Sequence, residues 1–421
     1  MSTPLHLSLP PHRPRPADAP LALAGVRVVD FSHFLSGPYC TQILADFGAE
    51  VWKIEKPHGG DDFRTHKPPD LGGESLGYLW TNRNKKGLTI DLYTEAGRAL
   101  VLQLIDRADV LVENFSSGVM QRLGLDFETV SRRNPRLVYC SISAAGREGE
   151  LAQRVGFDPI AQAESGLMAL NGHPGDGPVV VGSPIIDITT GMMASNAVMA
   201  ALAARARDGQ GQLVEVAMMD QAAQMVGYRP MAYLVTGQEP QRVGNSSPHV
   251  VAIGMFSTTT GPIYLCCANE RSYQRLVRDV LNRPDLGEGE YADPRARARH
   301  RDHLRKILQD ALGAQPREHW LRVMRAAGVP VGAVRSAGEA LGSDDMRERG
   351  LLTSIAHPTA GHVPNLAPPY RLSRTPVADP QAAPTLGQHT ESVLRQVLGL
   401  DDAAIQTLID QGALGAEGGQ P

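Results

Sequence analysis

VRVVDFSHFLSGPYCTQILADFGAEVWKIE, Val26 to Glu55, decides the fold. Val26 to Phe31 is rich in valine and reads as a buried strand. Gly37 and Pro38 break it, and Tyr39 to Phe47 carries helical spacing. Gly48 closes that helix, and Glu50 to Glu55 is a second strand. The pattern repeats outward from this β-α-β unit. Leu88 to Leu92 is short and extended. Thr94 caps a helix reaching about Arg107, with Glu95 in the first turn, where the helix dipole favours an acid. Asp109 to Glu113 and Leu137 to Ser143 are further strands. An Ala- and Met-rich helix runs from about Ile188 to Arg207, followed by a strand at Leu213 to Val216 and a helix from Met219 to about Leu234. Strands alternating with helices predict a parallel, doubly wound sheet.

The pattern changes near Gly244. Met255 to Ser257 and Ile263 to Cys267 read as antiparallel strands across the Gly261-Pro262 turn. Helices are expected over Ser272 to Leu281, Arg297 to Leu312 and Arg317 to Ala327, with Val329 to Arg335 extended. From about Gly350 the chain rejoins the first domain and ends in helices near Thr390 to Leu398 and Ala403 to Gln411. The expected organisation is therefore a Pro-rich disordered arm over 1–22, a large domain over 23–235 and 350–412, a small α+β domain over 245–340, and a frayed tail over 413–421.

Lys and Arg number 41 against 45 Asp and Glu, a net charge of −4, and 42% of the residues are apolar. These values suit a soluble enzyme and exclude a disordered acidic chain and a coiled coil. They also argue against nucleic acid as a partner. The densest basic run, Arg295 to Lys306, is diluted by Glu288, Asp293 and Asp302 and spreads around its helix. Four cysteines without a CxxC spacing predict a reduced, cytoplasmic protein. No uninterrupted apolar run reaches the ~18 to 20 residues of a bilayer span, so no membrane is expected. The histidines are scattered without HExxH or Cys/His ligand spacing, so no metal is expected. GxGxxG and P-loop patterns are absent.

Several residues stand out as candidates for chemistry. The loop Ser32 to Pro38 opens a helix after the first strand, a place where such folds hold phosphate, although a plain turn explains it as well. Lys53 and Lys56, the Arg83, Lys85 and Lys86 cluster, and Arg122 could meet a phosphorylated ligand or simply form a solvated face. Asp187, in SPIIDITTGMM, sits where an extended segment meets the long helix. It reads as a helix N-cap, or as a carboxylate nucleophile held by the helix N-terminus. Asp158, in GFDPIAQAESG, is a second positioned acid, or a buried Asp bonded to backbone amides. Arg64 and His66 could meet a second carboxylate; a surface role is the simpler reading.

Taken together, LAGVRVVDFSHFLSGPYCTQILADFGAEVWKIEKPHGGD, NRNKKGLTIDL, ADVLVENFSSGVMQRLG, GFDPIAQAESGLM, DITTGMMASNAVMAALAARARDGQGQLVEVAMMD, RVGNSSPH and PTLGQHTESVL resemble the family III CoA-transferases. That group includes formyl-CoA:oxalate and carnitine CoA-transferases and alpha-methylacyl-CoA racemase. The resemblance covers roughly residues 23 to 412. It implies a Rossmann-like large domain, a smaller domain, and an interlocked homodimer with the active site between the domains. It implies that Asp187 is the nucleophile of a ping-pong CoA transfer, with acyl-CoA and a small carboxylic acid as partners and succinyl-CoA as a plausible donor. Phe34 and Leu35 match the CoA channel, Lys56 a phosphate contact, and Ile90 an adenine neighbour. Asn114, Phe115 and Arg122 match the CoA-holding NF…R segment, and Arg154 matches a phosphate contact.

Three departures bear on the reading. Leu35 stands where the oxalate enzyme has Gln, which speaks against oxalate. The glycine-rich flap of that enzyme is replaced by Gly244 to His249. Phe157 stands where racemases have a His, which removes one of the two acid/base groups an α-carbon epimerisation needs. An acyl-CoA racemase and a non-catalytic CoA-binding dimer are the alternative readings.

Overall fold

A computed structural model of the protein describes residues 8–415. The chain divides into two compact units. The large unit takes in the chain up to Leu167, Val181–Gly227 and the segment from Asp344 onward; the small one takes in Met168–Val180 and Tyr228–Ser343.

The large unit is built on six strands: β1 (Arg27–Asp30), β2 (Glu50–Glu55), β3 (Lys85–Thr89), β4 (Val110–Glu113), β5 (Val138–Ser143) and β6 (Leu213–Ala217). They lie in the order β3-β2-β1-β4-β5-β6, every pair parallel. Strand order reverses at β1, which pairs with both β2 and β4, so the crevice beyond its carboxyl end is where ligands of such sheets collect. Alternate residues go to opposite faces. Val29, Trp52, Leu111 and Tyr139 enter one core, and Val28, Val51, Val110 and Val138 enter the other.

Helices α1 (Ser36–Asp46), α2 (Glu95–Ile105), α3 (Val119–Leu123), α4 (Asp158–Glu164) and the long α5 (Ile185–Asp208) follow in chain order; α1 and α5 cover the second face, with Cys40, Leu44, Ala194, Val198 and Ala201 in the core. Helix α2 (Glu95–Ile105) and the C-terminal helices cover the first with Leu100, Leu104, Val393, Leu394 and Ile405. Thr94 caps α2 as expected, accepting from Gly97 N at 3.0 Å. Contrary to expectation, Ile185–Asp208 is by length and composition apolar enough to cross a bilayer, although polar residues such as Thr189, Ser195 and Asn196 interrupt it. Its alanines and Val198 pack on the sheet instead.

Both ends depart from expectation. The arm is tied down over its described part. His12 Nε2 lies 2.9 Å from Asp379 Oδ1, and Arg15 N donates to the same oxygen. Ser354 N donates to Pro10 O. At the other end Asp91 N donates to Ala413 O, and Ala413 and Leu414 are buried, Leu414 as part of the first core. Residues 1–7 and 416–421 of the expected arm and tail lie outside the described residues.

The small unit holds a three-stranded antiparallel sheet of Ile253–Phe256, Ile263–Cys266 and Val331–Ala333, with Ile263–Cys266 in the centre. Leu304, Leu308, Leu312, Trp320 and Met324 cover it from two helices, Arg301–Leu312 and Arg317–Ala326. This unit begins earlier than expected, at Tyr228. Gly227, at φ 71°, breaks the expected helix into Met218–Met225 and Arg229–Thr236. It also takes in 168–180, because the Arg242 guanidinium donates to the carbonyls of Ala169 and Asp176 and Gly244 N donates to Gly172 O. Two arginines of the basic run point inward. Arg297 stacks 4.0 Å from the Tyr273 ring and Arg305 4.5 Å from the Phe256 ring.

Beneath the first loop of the large unit lies a buried group of charges. Lys53, fully buried, donates to Asp61 Oδ2 at 2.8 Å and to Ser32 O. Lys85 donates to Asp30 Oδ2 at 3.1 Å, Pro38 O and Asn82 Oδ1. Replacing one partner of such a pair leaves an uncompensated charge, at a cost of about 3 kcal/mol or more. Lys53→Met is expected to lower the thermal unfolding midpoint sharply, with partial recovery in Lys53→Met/Asp61→Asn; calorimetry on the two variants checks this.

Candidate active site

The loop after β1 is fixed from beneath and from the side. Asp30 ends β1 and accepts from Ser32 N at 2.9 Å, the Ser32 hydroxyl at 2.5 Å and the Thr41 hydroxyl at 2.6 Å. Burial pushes its carboxyl up, but Lys85, Lys53 and the two hydroxyls overcome burial and hold it below the ordinary value. Asp61 is lowered in the same way, burial being outweighed by Lys53 and by amide donors. One of those donors is Phe34 N, at 3.0 Å. Phe34 has φ 61°, a left-handed conformation that costs a bulky residue about 1–3 kcal/mol. The buried aspartate holds it there. Asn114 clamps the neighbouring His33, accepting from its N–H at 2.9 Å and donating to its carbonyl at 2.8 Å.

A cavity of about 310 Å³ opens beside this loop. His33, Lys56, Asp62, Ile90, Tyr93 and Phe115 contribute to its lining. Three of the expected CoA residues, Lys56, Ile90 and Phe115, are therefore brought together. Lys56 is exposed and pairs with Asp62 at 2.6 Å. The Phe115 turn is held by groups the sequence reading missed. Glu113 Oε2 accepts from Phe115 N at 2.9 Å, and Arg147 donates to Phe115 O at 2.8 Å and to Glu113 Oε1 at 2.8 Å.

The other expected residues lie elsewhere. Leu35 is buried at the start of α1. Both ends of the Asn114 amide are engaged by His33. Arg122 is exposed on the short helix Val119–Leu123 and does not line the cavity. Arg154 is exposed and paired with Glu164. Of the basic clusters, Arg83 and Lys85 are neither a solvated face nor open to a ligand. Arg83 makes a two-pronged pair with Asp46, at 2.9 and 2.6 Å. Lys86 bonds Glu50. Arg64 is buried against Glu55 with two bonds of 2.8 Å and stacks 3.7 Å from the Tyr78 ring, so it is neither a surface residue nor a free carboxylate receptor. His66 is exposed.

Asp187 lies in the first turn of α5, but it is not the cap. The helix starts after Pro184, and the first-turn amides are served from outside by Asp158. Its Oδ2 accepts from Ile186 N at 2.6 Å and Asp187 N at 3.1 Å. Its Oδ1 accepts from Gln162 Nε2 at 2.5 Å. Asp158 opens the helix Asp158–Glu164, whose preceding residue, Phe157, sets its ring edge-on to Phe34 at 6.1 Å. Loop, capping helix and the start of α5 thus meet. The Asp187 carboxyl is pushed up to about 7, mainly by burial and then by the Asp158 charge, while the Ser36 hydroxyl pulls it down. A half-buried carboxylate of that basicity is poorly solvated and close to its own titration point at neutral pH.

The model of CoA-transferase family III matches residues 23–390. The chain belongs to that family. As a family III CoA-transferase it is 32% identical over 393 residues to the human succinyl-CoA:glutarate CoA-transferase, covering 93% of this chain and 90% of that protein. It is 38% identical over 331 residues to the acetyl-CoA:oxalate CoA-transferase of Acetobacter aceti, covering 78% of this chain and 84% of that one. Among solved structures, a CAIB/BAIF family protein from Brucella suis superposes with a TM-score of 0.81 at 32% identity, over 90% of this chain and all of the other.

Removing the Asp158 charge in Asp158→Asn lowers the Asp187 pKa from about 7 toward the ordinary carboxylate range. Carbon-13 NMR of the Asp187 carboxyl should show its titration moving to lower pH.

Proposed function

We propose that this CoA-transferase moves CoA from succinyl-CoA to a small dicarboxylic acid, with Asp187 as the nucleophile. The observation that carries the reading is the half-buried Asp187 carboxyl, raised to about 7, in the first turn of a helix whose amides a second acid already serves. The Asp187 carboxylate attacks the thioester carbonyl, giving an aspartyl-succinyl anhydride and CoA thiolate. The thiolate attacks the aspartyl carbonyl, giving an aspartyl-CoA thioester and succinate. The acceptor carboxylate displaces the thiolate from that thioester and forms a second anhydride. Thiolate then attacks its acyl carbonyl, releasing the new acyl-CoA and restoring Asp187. Activation is conserved at each step, so the chemistry needs neither ATP nor a metal.

The donor follows from the human relative, whose match spans 93% of this chain; both relatives are named for a dicarboxylate acceptor. In this reading Ile90 and Phe115 form apolar walls for CoA with Phe34 and Leu35 in the loop beside them, Lys56 meets a phosphate within the cavity, and Arg122 and Arg154, which do not line it, meet phosphates outside it. Asn114 acts through its clamp on His33. The protein works as an interlocked homodimer in the cytoplasm. In support of a dimer, the helix Arg229–Thr236 and the residue before it expose Tyr228, Leu234 and Val235 at 84%, 74% and 82%, apolar surface of the kind subunits cover. Light scattering on the purified protein should give twice the chain mass.

Incubation with succinyl-CoA and no acceptor should leave a CoA or succinyl adduct on the peptide carrying Asp187, read by mass spectrometry. Asp187→Asn should lose at least about 10³-fold in turnover. Because it removes a poorly solvated charge, its unfolding midpoint should equal or exceed the wild type's. Wild-type turnover in this variant would overturn the assignment.

A further inference from the structure

Strand β4 ends at Glu113, whose buried carboxylate governs the turn that follows. Its Oε2 accepts from Phe115 N at 2.9 Å. Its Oε1 faces β5, where the register partner Ser141 donates a hydroxyl to it. Just past the end of β5, Arg147 reaches back to the same place. Its Nε donates to Ser141 Oγ at 2.8 Å, and its Nη2 to Glu113 Oε1 at 2.8 Å and Ile142 O at 3.0 Å. Its Nη1 donates to Phe115 O at 2.8 Å and to Ser117 Oγ at 3.5 Å. These bonds engage every N–H group of the guanidinium, so none is left for a phosphate. Arg147 does not line the cavity either. Burial pushes the Glu113 carboxyl up, and Arg147 is the charge that opposes it.

Glu113 and Arg147 thus hold the N–H and the carbonyl of a single residue, Phe115. Asn114 does the same for His33. The two residues held in this way both line the cavity, and their rings meet there at 5.2 Å. We infer that Arg147 is a positioning residue for CoA binding, setting the Phe115 ring as a wall of the cavity through the Phe115 carbonyl and through Glu113. This rests on the reading that the cavity takes CoA. A wall fixed before the ligand arrives need not be ordered when it binds. The partners of Arg147 are not those of Asp158 or Asp187, so its effect falls on binding rather than on attack. A lysine would keep a positive charge beside Glu113 but not the planar fork that spans the turn.

The test is the affinity for CoA, by titration calorimetry, and the kinetics of transfer from succinyl-CoA in Arg147→Met and Arg147→Lys. In both, the Kd for CoA and the KM for succinyl-CoA should rise about tenfold, with kcat changed less than about twofold. Arg205→Met serves as the control. It removes another largely buried arginine, which bonds Asp109 beside the opposite end of β4, and should lower the unfolding midpoint without weakening CoA. An unchanged Kd in Arg147→Met overturns the inference, whether or not its midpoint falls; if that variant does not fold, an unchanged Kd in Arg147→Lys does so. Equal weakening in Arg205→Met also overturns it, since the loss would then be a general loosening. If Phe115→Ala leaves the Kd unchanged, the placing of CoA in this cavity fails first; if Phe115→Ala weakens CoA and the Arg147 variants do not, only the role of Arg147 fails.

Discussion

The buried pairing of Lys53 with Asp61 and of Lys85 with Asp30 is the constraint on which the rest of the large unit depends. These four side chains lie at the carboxyl ends of β1 and β2 or just beyond, and on the first residue of β3. Burying four charges is costly unless each finds partners. Here the partners are the loop itself. Asp61 takes the Phe34 amide, Lys53 the Ser32 carbonyl, Asp30 the Ser32 amide and hydroxyl, and Lys85 the Pro38 carbonyl. The network spends its hydrogen bonds on fixing one loop rather than on general stability. It thereby replaces what a glycine-rich turn does in dinucleotide-binding sheets, and it lets Phe34 occupy a conformation usually left to glycine.

A second trade is made at α5. Placing an acid in a half-buried first turn normally benefits from the free amides there. Asp158 takes two of those amides, so Asp187 keeps the burial and loses much of the compensation. The result is a carboxyl poised near neutrality on a rigid element. If Asp187 is the nucleophile proposed above, stability is given up locally for reactivity; α1 crosses close over this helix, where a Cβ on Gly191 would stand 2.6 Å from Ser36 O.

Much of this was legible from the residues. Valine runs marked β1, β4 and β5, and Thr94 marked the start of α2, because these depend on local pattern and capping. The chain's resemblance to the family singled out Asp187, and Lys56, Ile90 and Phe115 do share one cavity. What was not legible depends on partners far apart in sequence. Lys53 and Arg83 look like surface charges until Asp61 and Asp46 are placed beside them. Asp187 looks like a cap until Asp158, about 30 residues earlier, supplies one. The attachment of 168–180 to the small unit rests on Arg242, which nothing local distinguishes. Arg147 gave one faint signal, a lone arginine after a strand, too common to act on.

The covering of the first sheet face has a consequence for how the chain is made. Trp52, Leu88 and Leu111 pack against Val393, Leu394, Ile405 and Leu414. The strands leave the ribosome about 300 residues before those helical residues do, which at ~5–20 residues per second is tens of seconds. Over that interval one face of the nascent sheet has α2 as cover but not the C-terminal helices. The large unit therefore closes only once its C-terminal helices have emerged, and the small unit, whose residues all precede those helices, is complete in the nascent chain before that.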